Sequence, residues 1–324
     1  MADDLKMEEF TPISLKIMRL DKVPGFDLYL MGAKGPVLYR QRNVRFTRRN
    51  LDSLLENGVK FLYFKSDDEN NYYQYIEDNL DRIVEDAEIP QTKKASVAYD
   101  TSAHLAHQMM VEPESGQLVK RAAKVMNSIV TFASKDKAAY KDIIQILPRD
   151  YYVHTHCANV ATYSLALGQL MGLTVASGLW ELTLGALLHD IGKARVSPEI
   201  LNKKGRLTEE EFEIVKKHVE WGLEIASKTA AVPEYSYPAI SQHHERLNGK
   251  GYPAGITDLQ LFGRIVAVAD TFDAITTNRP YERRRSSFEA LSVIQAKKGE
   301  FDRGVVMALI KVMAAKECRL EISS

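Results

Sequence analysis

The side chains best suited to chemistry sit in two short segments. One is His189-Asp190-Ile191-Gly192-Lys193. The other runs His243-His244-Glu245-Arg246-Leu247-Asn248-Gly249-Lys250-Gly251-Tyr252-Pro253. Together they bring three imidazoles, an aspartate and a lysine into otherwise ordinary stretches. Imidazole nitrogens and carboxylate oxygens suit divalent first-row metals such as Fe, Mn, Zn or Co. A lysine beside such a cluster suits an anionic substrate, most simply a phosphate. The combination points to metal-assisted hydrolysis of a phosphoester.

Further ligand types stand in similar surroundings. His189-Asp190 closes an apolar run through Leu182, Leu184, Ala186, Leu187 and Leu188, and buried ionisable groups need partners. Asp270 closes Ile265-Val266-Ala267-Val268-Ala269, where a salt bridge or a helix cap would be the plain alternative. His218 lies on the helix opened by Thr208, and His156 precedes Val160, Tyr163 and Leu167 on another. Taken singly, each histidine reads better as a hydrogen-bonded core residue or an exposed helix residue. His243 and His244, as helix neighbours, would point about 100° apart, which suits two ions side by side better than one. Seven candidate ligands, His156, His189, Asp190, His218, His243, His244 and Asp270, are about the number two metals need. Two ions ~3.5–4 Å apart can clamp a phosphate between them, and Asp190 is the candidate bridging carboxylate.

The elements that must position these groups are helical. Apolar residues recur at helical spacing over 156–172, 179–191, 208–228, 236–246, 260–277 and 286–314. Thr208 with Glu211, and Ser286 with Glu289, form capping boxes. No strand pattern interrupts residues 151–324, so this region reads as an all-helical bundle. Residues 76–150 read as a helical connector broken by Pro90 and Pro113, with Leu118, Ala122, Val125, Met126, Ile129 and Phe132 on one face. That face suits either a homodimer or packing within one chain. Residues 1–75 read as a small mixed α/β domain. Its expected strands are Phe26–Leu30, Val37–Tyr39 and Val59–Phe64, with a helix after Thr47 that stops at Gly58. The fold class is therefore mainly α, with a small α/β domain in front.

Composition narrows the function. Lys plus Arg total 43 and Asp plus Glu total 43, so the net charge is zero. A dedicated DNA-binding or membrane-surface protein would carry a basic footprint. Cys157 and Cys318 have no metal-type spacing, and no disulfide framework is expected. No apolar run reaches transmembrane length and no signal peptide is visible, so the expected location is cytoplasmic.

The ordered set His189-Asp190-Ile191-Gly192-Lys193, His243-His244-Glu245 and Gly249-Lys250-Gly251-Tyr252-Pro253 resembles the HD-GYP family of the HD phosphohydrolase superfamily. The resemblance runs from about Tyr152 to about Val312. It takes in Ile200-Leu201-Asn202-Lys203, Ala267 to Thr276 and Arg279-Pro280-Tyr281. It implies an all-α domain with a two- or three-metal centre that hydrolyses cyclic di-GMP to linear pGpG, in many members carried on to GMP; the mixed nitrogen and oxygen ligand set suits Fe or Mn. The attack would come from a metal-bridging hydroxide. The seven candidates above match the family's ligands in type. Lys193 matches the lysine that contacts the substrate phosphate, so Asp190 and Lys193 are the catalytic candidates. Gly251, Tyr252 and Pro253 match the loop that shapes the substrate side of the pocket and has been linked to partners such as diguanylate cyclase domains. Arg279 is a candidate for substrate contact, with Arg283 to Arg285, and Asp273 for orienting a ligand histidine.

Three positions depart from the pattern. Tyr152 stands where trinuclear members carry a glutamate, so two ions are expected here. Asn248 replaces a frequent aspartate, and Arg303 replaces a frequent proline after Phe301-Asp302. Two other readings remain open at this point. One is a receptor that binds cyclic di-GMP, or a partner protein, without turnover. The other is an HD hydrolase of another cyclic dinucleotide, such as cyclic GMP-AMP.

Overall fold

In residues 61–65 Leu62 and Phe64 are buried while Phe61 and Lys65 face outward, the period of two that marks a strand with one face on a core. The computed structural model, which describes residues 9–135, 144–148, 152–278 and 284–320, pairs this strand into a four-stranded antiparallel sheet. The strands are β1 (Phe10–Ser14), β2 (Leu28–Gly32), β3 (Gly35–Arg40) and β4 (Phe61–Lys65), in the order β1-β4-β2-β3. β2 and β3 form a hairpin at Gly32 and Gly35, where the turn signals predict one. β1 escapes the sequence pattern because Pro12 interrupts it; as an edge strand it tolerates the missing donor.

Helix α1 (Arg48–Glu56) starts at a Thr47 capping box with Asn50 and gives way to Gly58, whose φ of +71° suits glycine. Leu51, Leu54 and Leu55 share a face by helical spacing, yet of these only Leu54 is buried, and Leu55 is exposed. α2 (Glu69–Glu85) covers the sheet. Its Tyr75 ring meets Phe26, which also meets Phe64 of β4.

The chain divides into two compact units, Met1–Val97 and Ala98–Ser324. α3 (Gln91–Val111) and α4 (Gly116–Lys135) follow the breaks expected at Pro90 and Pro113. Amphipathic spacing over 115–147 predicts one helix, of which residues 136–143 lie outside the described ones. The second unit is built around α5 (Val153–Leu170), α6 (Leu179–Leu188) and α10 (Leu261–Thr276). α5 buries every residue from His156 to Gly168, and α6 buries Leu179, Leu182, Leu184, Ala186, Leu187 and Leu188. A helix apolar all round belongs at a core centre. Around them pack α7 (Glu209–Lys216), α8 (His218–Ser227), α9 (Tyr237–Ser241), α11 (Ser287–Ala296) and α12 (Arg303–Leu320). No strand occurs among the described residues of this unit.

Three expected helices are interrupted. The 208–228 run breaks at Lys217 into α7 and α8. The 286–314 run breaks between α11 and α12, around Gly299 with φ of +76°. The 236–246 run ends at Ser241, so His243 and His244 lie in the turn beyond it.

Candidate metal centre

The site gathers where helices end. α6 stops at Leu188, and His189-Asp190 forms the turn that follows. A short 3-10 helix, Ile191–Arg195, then lies against the start of α8. Gly192 permits this approach, because a Cβ there would run into the carbonyl of His218. The break at Lys217 puts His218 at the first position of α8. His156 stands in the first turn of α5 and Asp270 midway along α10.

All seven candidate ligands fall into two groups, each with ligand atoms within 4.8 Å of one another. One is Asp190, His218, His243 and His244; the other is His156, His189 and Asp270. The expectation that His243 and His244 belong to different ions assumed a helix. In the turn their rings stand 4.2 Å apart and share one group. Asp190 lies between the groups. Its Oδ1 is 3.3 Å from Nε2 of His218 and 3.9 Å from Nε2 of His243. Its Oδ2 is 3.4 Å from Nε2 of His189 and 3.7 Å from Nε2 of His156. Each oxygen therefore faces a different group. Nζ of Lys193 lies 2.5 Å from the same Oδ2.

Hydrogen bonds fix which ring nitrogen four of the five candidate histidines offer. Nδ1 of His189 donates to Ala186 O at 2.7 Å, that of His218 to Val215 O at 2.6 Å, and that of His243 to Ile240 O at 2.7 Å. A carbonyl only accepts, so Nδ1 carries the proton and Nε2 presents its lone pair. His156 achieves the same through Asp273, whose Oδ2 lies 2.7 Å from its Nδ1. Asn159 donates to the other Asp273 oxygen at 2.9 Å, and the Tyr99 hydroxyl donates to Asn159 at 2.8 Å.

Electrostatics keep His218, His243, His244, Asp190 and Asp270 unprotonated. Burial pulls His218 down to about 4, outweighing the opposing attraction of Asp190, and pulls His244 down to about 3. Burial, then His244, holds His243 well below the ordinary range. Burial alone would raise the Asp190 carboxyl, but Lys193 and His189 hold it well below its usual range. At Asp270 burial is likewise overcome, by the His156 ring 3.1 Å away and then by His244. His189 Nε2 and Asp190 Oδ1 are buried without a hydrogen-bond partner. Buried orphan donors and acceptors need an explanation, and a divalent ion supplies one. The two clusters fit a dinuclear site with nitrogen and oxygen ligands.

The sequence matches the family described as "HD domain" over residues 108–305. The chain belongs to the HD-domain family. It is 32% identical over 209 residues to a cyclic di-GMP phosphodiesterase of Pseudomonas aeruginosa, covering 63% of this chain and 50% of that one. It is 36% identical over 146 residues to a 3'3'-cGAMP-specific phosphodiesterase of Vibrio cholerae, covering 44% of this chain and 31% of that one. The chain thus spans half the length, or less, of these curated relatives. An HDG"Y"P protein of Bdellovibrio bacteriovorus shares the fold with a TM-score of 0.66 at 24% identity, over 94% of this chain and 99% of that one.

In this HD domain the Gly-Tyr-Pro loop is tied to the metal centre. Glu245 is buried, and its Oε1 accepts from the backbone N–H groups of Ala254 at 2.7 Å and Gly255 at 3.1 Å. Gly251 packs so closely on Glu245 that a Cβ would strike its backbone. Tyr252 stacks on His244 with centroids 4.5 Å apart. Arg246 donates to the carbonyls of His243 and Glu245 at 3.0 and 2.7 Å, which braces the two-histidine turn. Asn248 keeps a loop hydrogen bond, accepting from Lys250 N at 3.1 Å. Arg303 opens α12, whose start Asp302 caps by accepting from Gly304 and Val305. Arg279 and Arg283 lie outside the described residues.

Several supporting residues carry weak sequence signals. Asn159 sits three residues after His156 on α5, so helical spacing alone places it on the His156 side. Tyr99 is remote in sequence and has no such signal. Glu245 and Arg246 were legible only as motif letters.

Proposed function

We propose that this HD domain is a metal-dependent phosphodiesterase that hydrolyses cyclic di-GMP to the linear dinucleotide. The observation that carries this reading is Asp190, with one oxygen toward each ligand group and Lys193 at 2.5 Å. His156, His189 and Asp270 would hold one ion, and His218, His243 and His244 the other, with Asp190 between them. Fe or Mn suits this donor set. Such a pair supplies a hydroxide near neutral pH and draws charge from a phosphoryl oxygen.

The chain's own groups do the rest. Lys193 places a fixed positive charge beside the reacting phosphate and stabilises negative charge that grows there. The Nδ1 hydrogen bonds keep the Nε2 lone pairs of His156, His189, His218 and His243 turned inward. Tyr252, seated on His244, bounds one side of the site, and Gly251 and Pro253 hold it there. These residues, with Arg279, form the substrate contacts of this reading.

The test is incubation of protein loaded anaerobically with Fe(II) or Mn(II) with cyclic di-GMP, followed by chromatography. Linear dinucleotide or GMP should appear, and Asp190→Ala should lose both metal and product. A verified two-metal protein that yields no product would overturn hydrolysis and favour a receptor. Relatives specific for 3'3'-cGAMP make that dinucleotide the second substrate to run in the same assay.

A further inference from the structure

A cleft of about 830 Å³ opens beside Lys193. That is within the range of about 300–1,000 Å³ usual for small-ligand pockets. Its walls include Tyr152, His154, His107 and Asn202. None of these four belongs to the ligand groups. Lys193 is common to both places: it lines the cleft and touches Asp190. A molecule whose phosphate rests at Lys193 can therefore extend into this space.

The cleft wall has a particular chemistry. Tyr152 and His154 lie nearly parallel, with centroids 5.6 Å apart and planes 17° apart. His107 sets its ring against His154 at 4.9 Å and 68°, bracing it edge-to-face. Tyr152 is 63% exposed, so its ring is open to a ligand. A flat, solvent-facing ring backed by a second, half-buried one beside Lys193 is a surface on which a nucleobase stacks.

We propose that Tyr152 and His154, braced by His107, form a purine subsite that holds one base of the cyclic dinucleotide. This rests on the phosphodiesterase reading above. It also gives Tyr152 a role: the phenol at this position serves the substrate instead of a third ion.

The test compares Tyr152→Ala, His154→Ala, Tyr152→Phe and His154→Phe in the full chain, using cyclic di-GMP and methyl p-nitrophenyl phosphate, which has no nucleobase. Each alanine variant should raise KM for the dinucleotide about tenfold, as loss of one stacking partner does. KM for the small ester should move less, and each phenylalanine should restore most of the dinucleotide KM. Metal content, measured on every variant, should equal that of the unaltered protein. Unchanged dinucleotide KM in both alanine variants overturns the subsite while leaving the phosphodiesterase reading intact. Loss of metal in those variants also overturns it, because the wall would then be structural. Cleavage of the ester without binding or cleavage of any cyclic dinucleotide by the unaltered protein removes the reading itself, and the subsite with it.

Discussion

Asp273 Oδ2 lies 2.7 Å from Nδ1 of His156, while Nε2 of the same ring lies 3.1 Å from Asp270, one turn back on α10. One helix thus supplies both a candidate ligand and the carboxylate that orients its neighbour. Asp273 is fully buried among these partners, with Asn159 on its other oxygen and Tyr99 behind that. Asp273→Asn should lower metal affinity about 10–100-fold, the usual cost of losing such a partner. Retained metal after dialysis against a graded chelator measures this. Tyr99→Phe removes only the last hydrogen bond of the chain and should cost less. An Asp273→Asn protein that keeps metal as tightly as the unaltered one would reduce Asp273 to a helix-packing residue.

Lys193 should separate metal binding from turnover. Its ammonium lies against Asp190 but is not itself a ligand type, since it offers donors only. Lys193→Met should keep two metals per chain and lose about 10²–10³ in kcat, the range for removing one group that stabilises charge in the transition state. Metal analysis together with steady-state kinetics decides it. Loss of an ion along with kcat would mean that Lys193 acts by holding Asp190.

The metal-free protein should lose stability in acid over a defined window. His218 ionises at about 4 in the fold against an ordinary 6.5, because burial disfavours its charge. Between these values the unfolded chain takes up a proton that the folded chain refuses, so stability falls as pH drops from 6.5 toward 4. The loss is on the order of 3 kcal/mol for this residue. His243 and His244 are lowered too and act in the same direction. Asp190 and Asp270, held below their ordinary 3.8, withdraw their contributions only as pH falls below that value. Melting temperatures of metal-free protein from pH 7 to 4 should fall steadily, and His218→Gln should flatten part of the slope.

The candidate ligands were legible because a metal site would demand particular atoms, and those atoms stood out against apolar runs. The surrounding geometry was less so. Helical periodicity carries through His218 and through His243-His244, yet the chain breaks at Lys217 and after Ser241. Those breaks set the ring positions, and local apolar spacing does not encode them. The edge strand β1 was hidden by Pro12, and Leu55 fits an apolar face that the fold leaves exposed. Long-range partners such as Tyr99 for Asn159 have no local signature at all.

Gly192 offers the sharpest test of how close packing builds the site. A methyl group there would run into the His218 carbonyl and stand 2.6 Å from the Gly222 nitrogen. Both are backbone atoms of α8, so no side-chain rotation relieves the clash. The turn carrying His189, Asp190 and Lys193 would have to move away from the helix that starts at His218. Overpacking of this kind costs about 1–3 kcal/mol or more. Gly192→Ala should therefore melt several degrees lower and bind metal less tightly. Gly116→Ala is the control, since a Cβ there meets only Thr229 at 3.5 Å, an ordinary contact. It should leave melting and metal content unchanged. If Gly192→Ala melts lower yet binds two metals with unaltered affinity, His189 and His218 are positioned independently, and the glycine serves packing alone.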